Sequence, residues 1–196
     1  MRMTRTSTVL LEALRDSANA GVWQEFDARY RPLLLRVGRR LGLSPLDAED
    51  AAQETIAAFL VEYRAGHYQR QSARLRDWLA GIMAHKVRDL QRRQFSGQKL
   101  LEQMARDAGT SKEADSTVQR VLEEEWKGAV LRQCLDEVRA GVSPQMYESF
   151  ELLALKQWPA RQVARHLGIS EDLVYQNKRR VLKRVQELIP AMEEVW

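Results

Sequence analysis

A chain of 196 residues holds enough material for one medium core or two small ones. With 44% hydrophobic and 30% charged residues it is too apolar to be wholly disordered. Its apolar runs fall short of the roughly 20 uncharged residues a bilayer span requires. A folded, cytoplasmic protein with no membrane partner is therefore expected, the more so because the basic start of the chain carries no apolar signal core before Val9. Cys134 is the single cysteine, which excludes an intramolecular disulfide and any thiolate zinc site not shared between chains, and it reads as a small buried apolar residue.

Val, Ile and Thr are scattered, period-two alternation is absent, and apolar residues recur at helical spacing, so the expected fold class is all-α. In chain order the periodicity predicts helices over 9–19, 22–41, Pro45–Arg64 and 75–93, with breaks at Gly21, Gly42 and near Gly66. Ser44, Pro45 and Asp47 stand at the N-cap, first and third positions of the third helix, approximating a capping box with Asp for the usual Glu. Residues 94–117 contain Ser96, Gly97, Gly109, Thr110, Ser111 and Ser116 with balanced charge, which suits a flexible tether, although 100–107 could form a turn or two of helix. Helical periodicity resumes over 118–139 and stops at Ala140-Gly141. It restarts at Ser143-Pro144, a capping Ser before a first-turn Pro, and two further helices are expected over 160–166 and 171–188. The expected architecture is two small helical domains, 1–93 and 118–196, joined by a linker over 94–117.

A net charge of +4 names no partner, but its distribution is uneven. Asp47, Glu49, Asp50, Glu54 and Glu62 fall in a stretch with no Lys or Arg. Eight basic residues between Arg64 and Arg93 face only Asp77 and Asp89, and eight more between Lys156 and Gln186 face only Glu171 and Asp172. Three surfaces with different partners are implied.

On the helix from Pro45, the carboxylates Asp47, Asp50 and Glu54 lie within about 60° of one another, opposite Ala48, Ala52, Ile56, Phe59 and Tyr63. Acids near a helix start also suit the macrodipole, so a merely well-started surface helix is the plain alternative. No activated nucleophile, glycine-rich loop or histidine cluster accompanies them. Catalysis, a metal and a cofactor are thus not expected, and His67, His85 and His166 are too dispersed for a metal site.

The helix over 75–93 has an apolar arc of Leu75, Leu79, Ile82, Met83, Val87 and Leu90. Trp78 lies at its border, Lys86 falls inside it and must snorkel, and Arg74, His85, Arg88 and Arg92 lie on the other side. A basic face beside an aromatic ring suits separated DNA strands, and the preceding loop with His67 and Tyr68 is the segment expected to touch a base. Further on, residues 159–184 read as a helix-turn-helix. Val163, Ala164 and Leu167 form the packing face, Gly168 the left-handed turn, Ile169 the corner, and Ser170 the cap of a second helix. Asp172, Tyr175, Gln176, Arg179 and Lys183 share the stripe opposite Val174, Val181 and Val185. With Arg180 and with Arg161 and Arg165 of the preceding helix, they carry the donors that base edges and phosphates require. An ordinary helical hairpin with a solvated basic face is the alternative.

The run Asp47-Ala-Glu-Asp-Ala-Ala-Gln-Glu54, followed by Trp78-Leu79, Ile82, Asp89, Arg92 and Arg93 and then the helix-turn-helix, resembles the extracytoplasmic-function sigma factors of the sigma-70 family over nearly the whole chain. The resemblance implies a transcription initiation factor that binds core RNA polymerase and catalyses nothing itself. Asp47, Glu49, Asp50, Gln53 and Glu54 would meet the β′ clamp helices, and the β flap is a further polymerase contact that the resemblance implies. His67, Tyr68, Arg74, Trp78, His85, Arg88 and Arg92 would melt and read the −10 promoter element. Arg161, Arg165, Ser170, Asp172, Tyr175, Gln176, Arg179, Arg180 and Lys183 would read the −35 element. An anti-sigma factor is a further partner of such proteins. His85 stands where the family often carries Asn. A stand-alone regulator binding palindromic DNA as a dimer, and a helical adaptor binding only proteins, remain the rival readings.

Overall fold

The computed structural model describes residues 7–15, 20–68, 74–94 and 100–196, with the side chains of 91–114 and a few others outside the description. The described residues are helical, with no strand among them. The helices are α1 (Ser7–Ala13), α2 (Ala20–Arg40), α3 (Pro45–Arg64), α4 (Leu75–Gln94), α5 (Leu100–Gly141), α6 (Pro144–Phe150), a π-helical turn (Glu151–Leu155), α7 (Ala160–Leu167) and α8 (Glu171–Val195). No helix is long and apolar enough to cross a membrane among the described residues.

The start of α3 follows from its first residues. Ser44 Oγ accepts the Asp47 backbone N–H at 3.1 Å and donates its own hydroxyl to Asp47 Oδ2 at 2.6 Å, while Pro45 fills a position whose N–H would be orphaned anyway. The carboxylate thus takes the Ser hydroxyl, where a capping-box Glu reaches the backbone. The same device, Ser143 then Pro144, starts α6.

Contacts divide the chain into two compact units, Met1–Lys127 and Gly128–Trp196. In the first, α3 packs against α2 on one side and α4 on the other. The approach of α2 to α3 is close because both surfaces are small there: a methyl group on Gly38 would stand 3.1 Å from Ala48 Cβ. Phe26, Tyr30, Phe59 and Tyr63 stack through the interior, with ring centroids of Phe26 and Phe59 5.2 Å apart.

The division falls later than composition suggests. Much of the expected tether belongs to α5, helical from Leu100, and residues 118–127 lie in the first unit rather than the second. Val118, Leu122 and Trp126 recur every four residues and are all buried, and the Trp126 ring lies 5.5 Å from that of Tyr30 on α2. Four acids fix the register: Glu125 meets Arg36 at 2.8 Å, Glu124 meets Arg40 at 2.6 Å, Glu123 meets Arg76 at 3.2 Å and Asp115 meets Arg88 at 3.2 Å. A Gly or Ser inside a helix costs about 1 kcal/mol or less relative to Ala, which tertiary anchoring of this kind outweighs.

In the second unit Leu152, Ala160, Val163, Ala164 and Val174 form a cluster onto which Leu153, Trp158, Leu167 and Ile169 pack. Arg139 lies over the Tyr147 ring, and Arg184 donates to the Gly141 carbonyl at 2.8 Å, capping the end of α5. The π-helical turn and the left-handed Gln157 behind it (φ 57°) had no expectation in the sequence.

Candidate functional site

The burial of Ala48, Ala52, Ile56, Phe59 and Tyr63 sets the rotation of α3, and with it the outward face. Glu49, Asp50, Gln53 and Glu54 are exposed and Asp47 is half-buried beside its cap. The carboxylates are not equivalent. Glu49 pairs with Arg31 of α2 at 3.2 Å, and Glu54 with Lys86 of α4 at 3.1 Å. Asp50, midway between them, has no ion-pair partner among the described residues. Hydrogen bonding to Asp27, opposed by burial and reinforced by Glu49, pushes the Arg31 pKa upward. Among the described residues, Asp50 thus stands without an ion-pair partner between two carboxylates, Glu49 and Glu54, that are already paired. Sequence reasoning missed Arg31 and the pairing of Lys86; the signal for Lys86 was its place inside the apolar arc of α4, where a cation needs an outlet.

The loop before α4 is partly outside the described residues, which omit 69–73. His67 is exposed, its Nδ1 2.7 Å from Glu62. Tyr68 departs from its expected place on an accessible loop: it is 5% exposed, its ring 5.9 Å from Phe59, 6.0 Å from Tyr63 and edge-on to Trp78 at 5.4 Å. The cause is aromatic packing, since those three rings leave an apolar gap that a Tyr ring fills. Trp78 is half-buried, and its Nε1 is shielded with no acceptor among the described residues. Arg74 is exposed, and its carbonyl accepts the backbone N–H groups of Asp77 and Trp78 in the first turn of α4. On α4 His85 is exposed and Arg88 half-buried; Arg92 lies outside the described side chains.

In the second unit the turn between α7 and α8 is built as its residues require. Gly168 adopts φ 65°, where a Cβ would be strained, and the Ile169 N–H reaches back to the Ala164 carbonyl at 3.0 Å, closing α7. Ser170 Oγ then accepts the Leu173 N–H at 3.2 Å and starts α8. Val174, Val181 and Val185 are buried, so Asp172, Tyr175, Gln176, Arg179, Arg180 and Lys183 are exposed, as are Ser170 and, on α7, Arg161 and Arg165. Asn177, not singled out in the sequence, is buried on the same helix. The arrangement is two helices joined by a tight turn, with an exposed polar and basic stripe along α8. No cluster of metal-ligating residues occurs among the described residues.

Residues 26–95 match the family model described as Sigma-70 region 2. The match runs from within α2 to just past α4, and it supports a factor of the sigma-70 type, with a part in polymerase binding and promoter melting. No curated protein and no solved structure matches the chain.

Proposed function

We propose that this chain is a sigma factor of the extracytoplasmic-function type, acting in the cytoplasm to bring core RNA polymerase to particular promoters. The observation that carries the reading is the coincidence of the region 2 match with an acidic face on α3 whose central carboxylate, Asp50, is exposed and without an ion-pair partner among the described residues. Asp47, Glu49, Asp50, Gln53 and Glu54 bind basic residues of the polymerase β′ clamp helices. Arg74, Trp78, His85, Arg88 and Arg92, with His67 at the loop, contact the −10 element as its strands part. The pair α7 and α8 is a helix-turn-helix that holds the −35 element, with Gln176 and Arg179 facing base edges and Arg161 and Arg165 nearer the phosphates. Strand opening needs no covalent step, since a protein that binds the open form more tightly than the duplex shifts the equilibrium.

The test is transcription in vitro by core polymerase over a library of promoter sequences, with and without the protein. Initiation from a restricted promoter set only when the protein is present is the expected result. Binding of palindromic DNA as a dimer, with no stimulation of polymerase, would replace this reading by that of a stand-alone regulator.

A further inference from the structure

Arg88 lies on the face of α4 assigned above to the −10 strand, yet its guanidinium is already engaged. Nε donates to the Ala84 carbonyl at 3.2 Å, Nη2 lies 3.0 Å from His85 Nδ1, and the same Nη2 lies 3.2 Å from Asp115 Oδ1. A guanidinium has only donors, so His85 Nδ1 is the acceptor in that contact. Asp115 does not reach Arg88 by chance of a mobile side chain. It stands one helical turn before Val118, at the head of the buried stripe Val118, Leu122 and Trp126, with Glu123, Glu124 and Glu125 tying the same helix to Arg76, Arg40 and Arg36.

We propose that Asp115 is a built-in competitor for nucleic-acid phosphate at Arg88. The anchored first half of α5 holds a carboxylate where a phosphate oxygen would sit, and bound DNA must displace it. The two side chains are partly open to solvent, Arg88 at 21% and Asp115 at 47%, but the oxygen facing Arg88, Asp115 Oδ1, is itself shielded. A phosphate therefore reaches the guanidinium only once the Asp115 carboxylate rotates out toward its exposed side, a side-chain motion that leaves α5 in its seat. Such half-exposed pairs are weak, and the competition lowers affinity without abolishing it. In the protein alone the carboxylate occupies Arg88, which disfavours indiscriminate capture of single strands; at a promoter, the other contacts hold a strand close enough to take its place.

The inference rests on the reading of α4 as a DNA-contacting helix, and a double-mutant cycle separates the two. Binding of a fluorescein-labelled single-stranded DNA of mixed sequence to the full chain is measured by anisotropy across salt concentrations, for wild type, Asp115→Asn, Arg88→Gln and the double variant, each checked by a thermal melt. Asp115→Asn should tighten binding about two- to five-fold and steepen the salt dependence by about one ion, while in the Arg88→Gln background it should change little. Tightening of equal size in both backgrounds would be a long-range charge effect and would overturn the proposal. If Arg88→Gln weakens binding but Asp115→Asn leaves it unchanged, the competitor is refuted and the DNA reading of α4 stands. If neither substitution matters, or neither the wild type nor Asp115→Asn captures a single strand, both fall. Unfolding of Asp115→Asn, seen in the melt, would make Asp115 a structural residue and count against the competitor role.

Discussion

Glu54 Oε2 and Lys86 Nζ lie 3.1 Å apart, tying the acidic face of α3 to α4 across their packed interface. Lys86 interrupts the apolar arc of its own helix, and the partner lets its stem lie along the core edge while the ammonium reaches a carboxylate near the surface. The pair makes two neighbouring acids behave differently on substitution. Asp50→Lys should weaken core polymerase binding by roughly 1.5 to 3 kcal/mol and leave stability within about 0.5 kcal/mol. Glu54→Lys should lower both, because it sets a second ammonium against Lys86. Pull-down of core enzyme beside a urea melt measures each; equal effects of the two reversals on stability would mean the Lys86 contact is not maintained.

Trp126 belongs to the core of the first unit. Trp126→Ala should destabilise that unit by about 3 to 5 kcal/mol, the usual cost of emptying a buried aromatic site. A fragment of residues 128–196 should fold without it, since the second unit draws its core from Ala129 onward. Urea denaturation of the variant and circular dichroism of the fragment check the two halves. A fragment that needs 118–127 to fold would move the boundary back to where composition put it.

The docking of α5 on α2 should be sensitive to acid. The Arg40 hydrogen bond holds the Glu124 carboxyl below its ordinary range. For Glu125 burial pushes upward, but the hydrogen bonds from Arg36 and Arg40 outweigh it and the net shift is downward. Folded-state values below the unfolded one mean that this stabilisation is fully present above about pH 4.3 and is lost as pH falls through the folded-state values. Urea melts of the wild type at pH 7, 5 and 3.5 should therefore converge on those of Glu125→Gln only at the lowest pH. Convergence already at pH 5 would contradict the direction of the shift.

Gly168→Ala should cost about 1 to 2 kcal/mol in the second unit, because a Cβ at φ 65° crowds the following carbonyl even though the surrounding space is open. Gly168→Asn should cost less, as Asn tolerates the left-handed region. Thermal melts of the 128–196 fragment give the ranking, and an Ala variant as stable as Asn would mean the turn relaxes.

Sequence preference at the −35 element should depend on Arg179 and not on Arg165. Arg179→Ala should cost about 1 to 3 kcal/mol at the preferred sequence and flatten discrimination, whereas Arg165→Ala should weaken all sequences alike and lower the salt slope by about one. Binding of holoenzyme to variant −35 sequences at several salt concentrations distinguishes them, and the reverse pattern would place the reading face elsewhere on α8.

The helices themselves were legible because their signals are local. Ser44-Pro45, Ser143-Pro144 and Gly168-Ile169-Ser170 fix starts and stops through hydrogen bonds spanning only a few residues, and the spacing of Val174, Val181 and Val185 fixes which face of α8 is exposed. What tertiary structure decided is which side chains on those faces were already spoken for. Glu49, Glu54 and Arg88 look equally free along the chain, but Arg31, Lys86 and Asp115 reach them from other helices. Tyr68 looks like a loop residue until Phe59, Tyr63 and Trp78 close around it. The extent of α5 is the same lesson at larger scale: composition weighs each residue by its own preference, whereas Val118, Leu122 and Trp126 gain burial only from Tyr30 and its neighbours some hundred residues earlier, a term no local window contains.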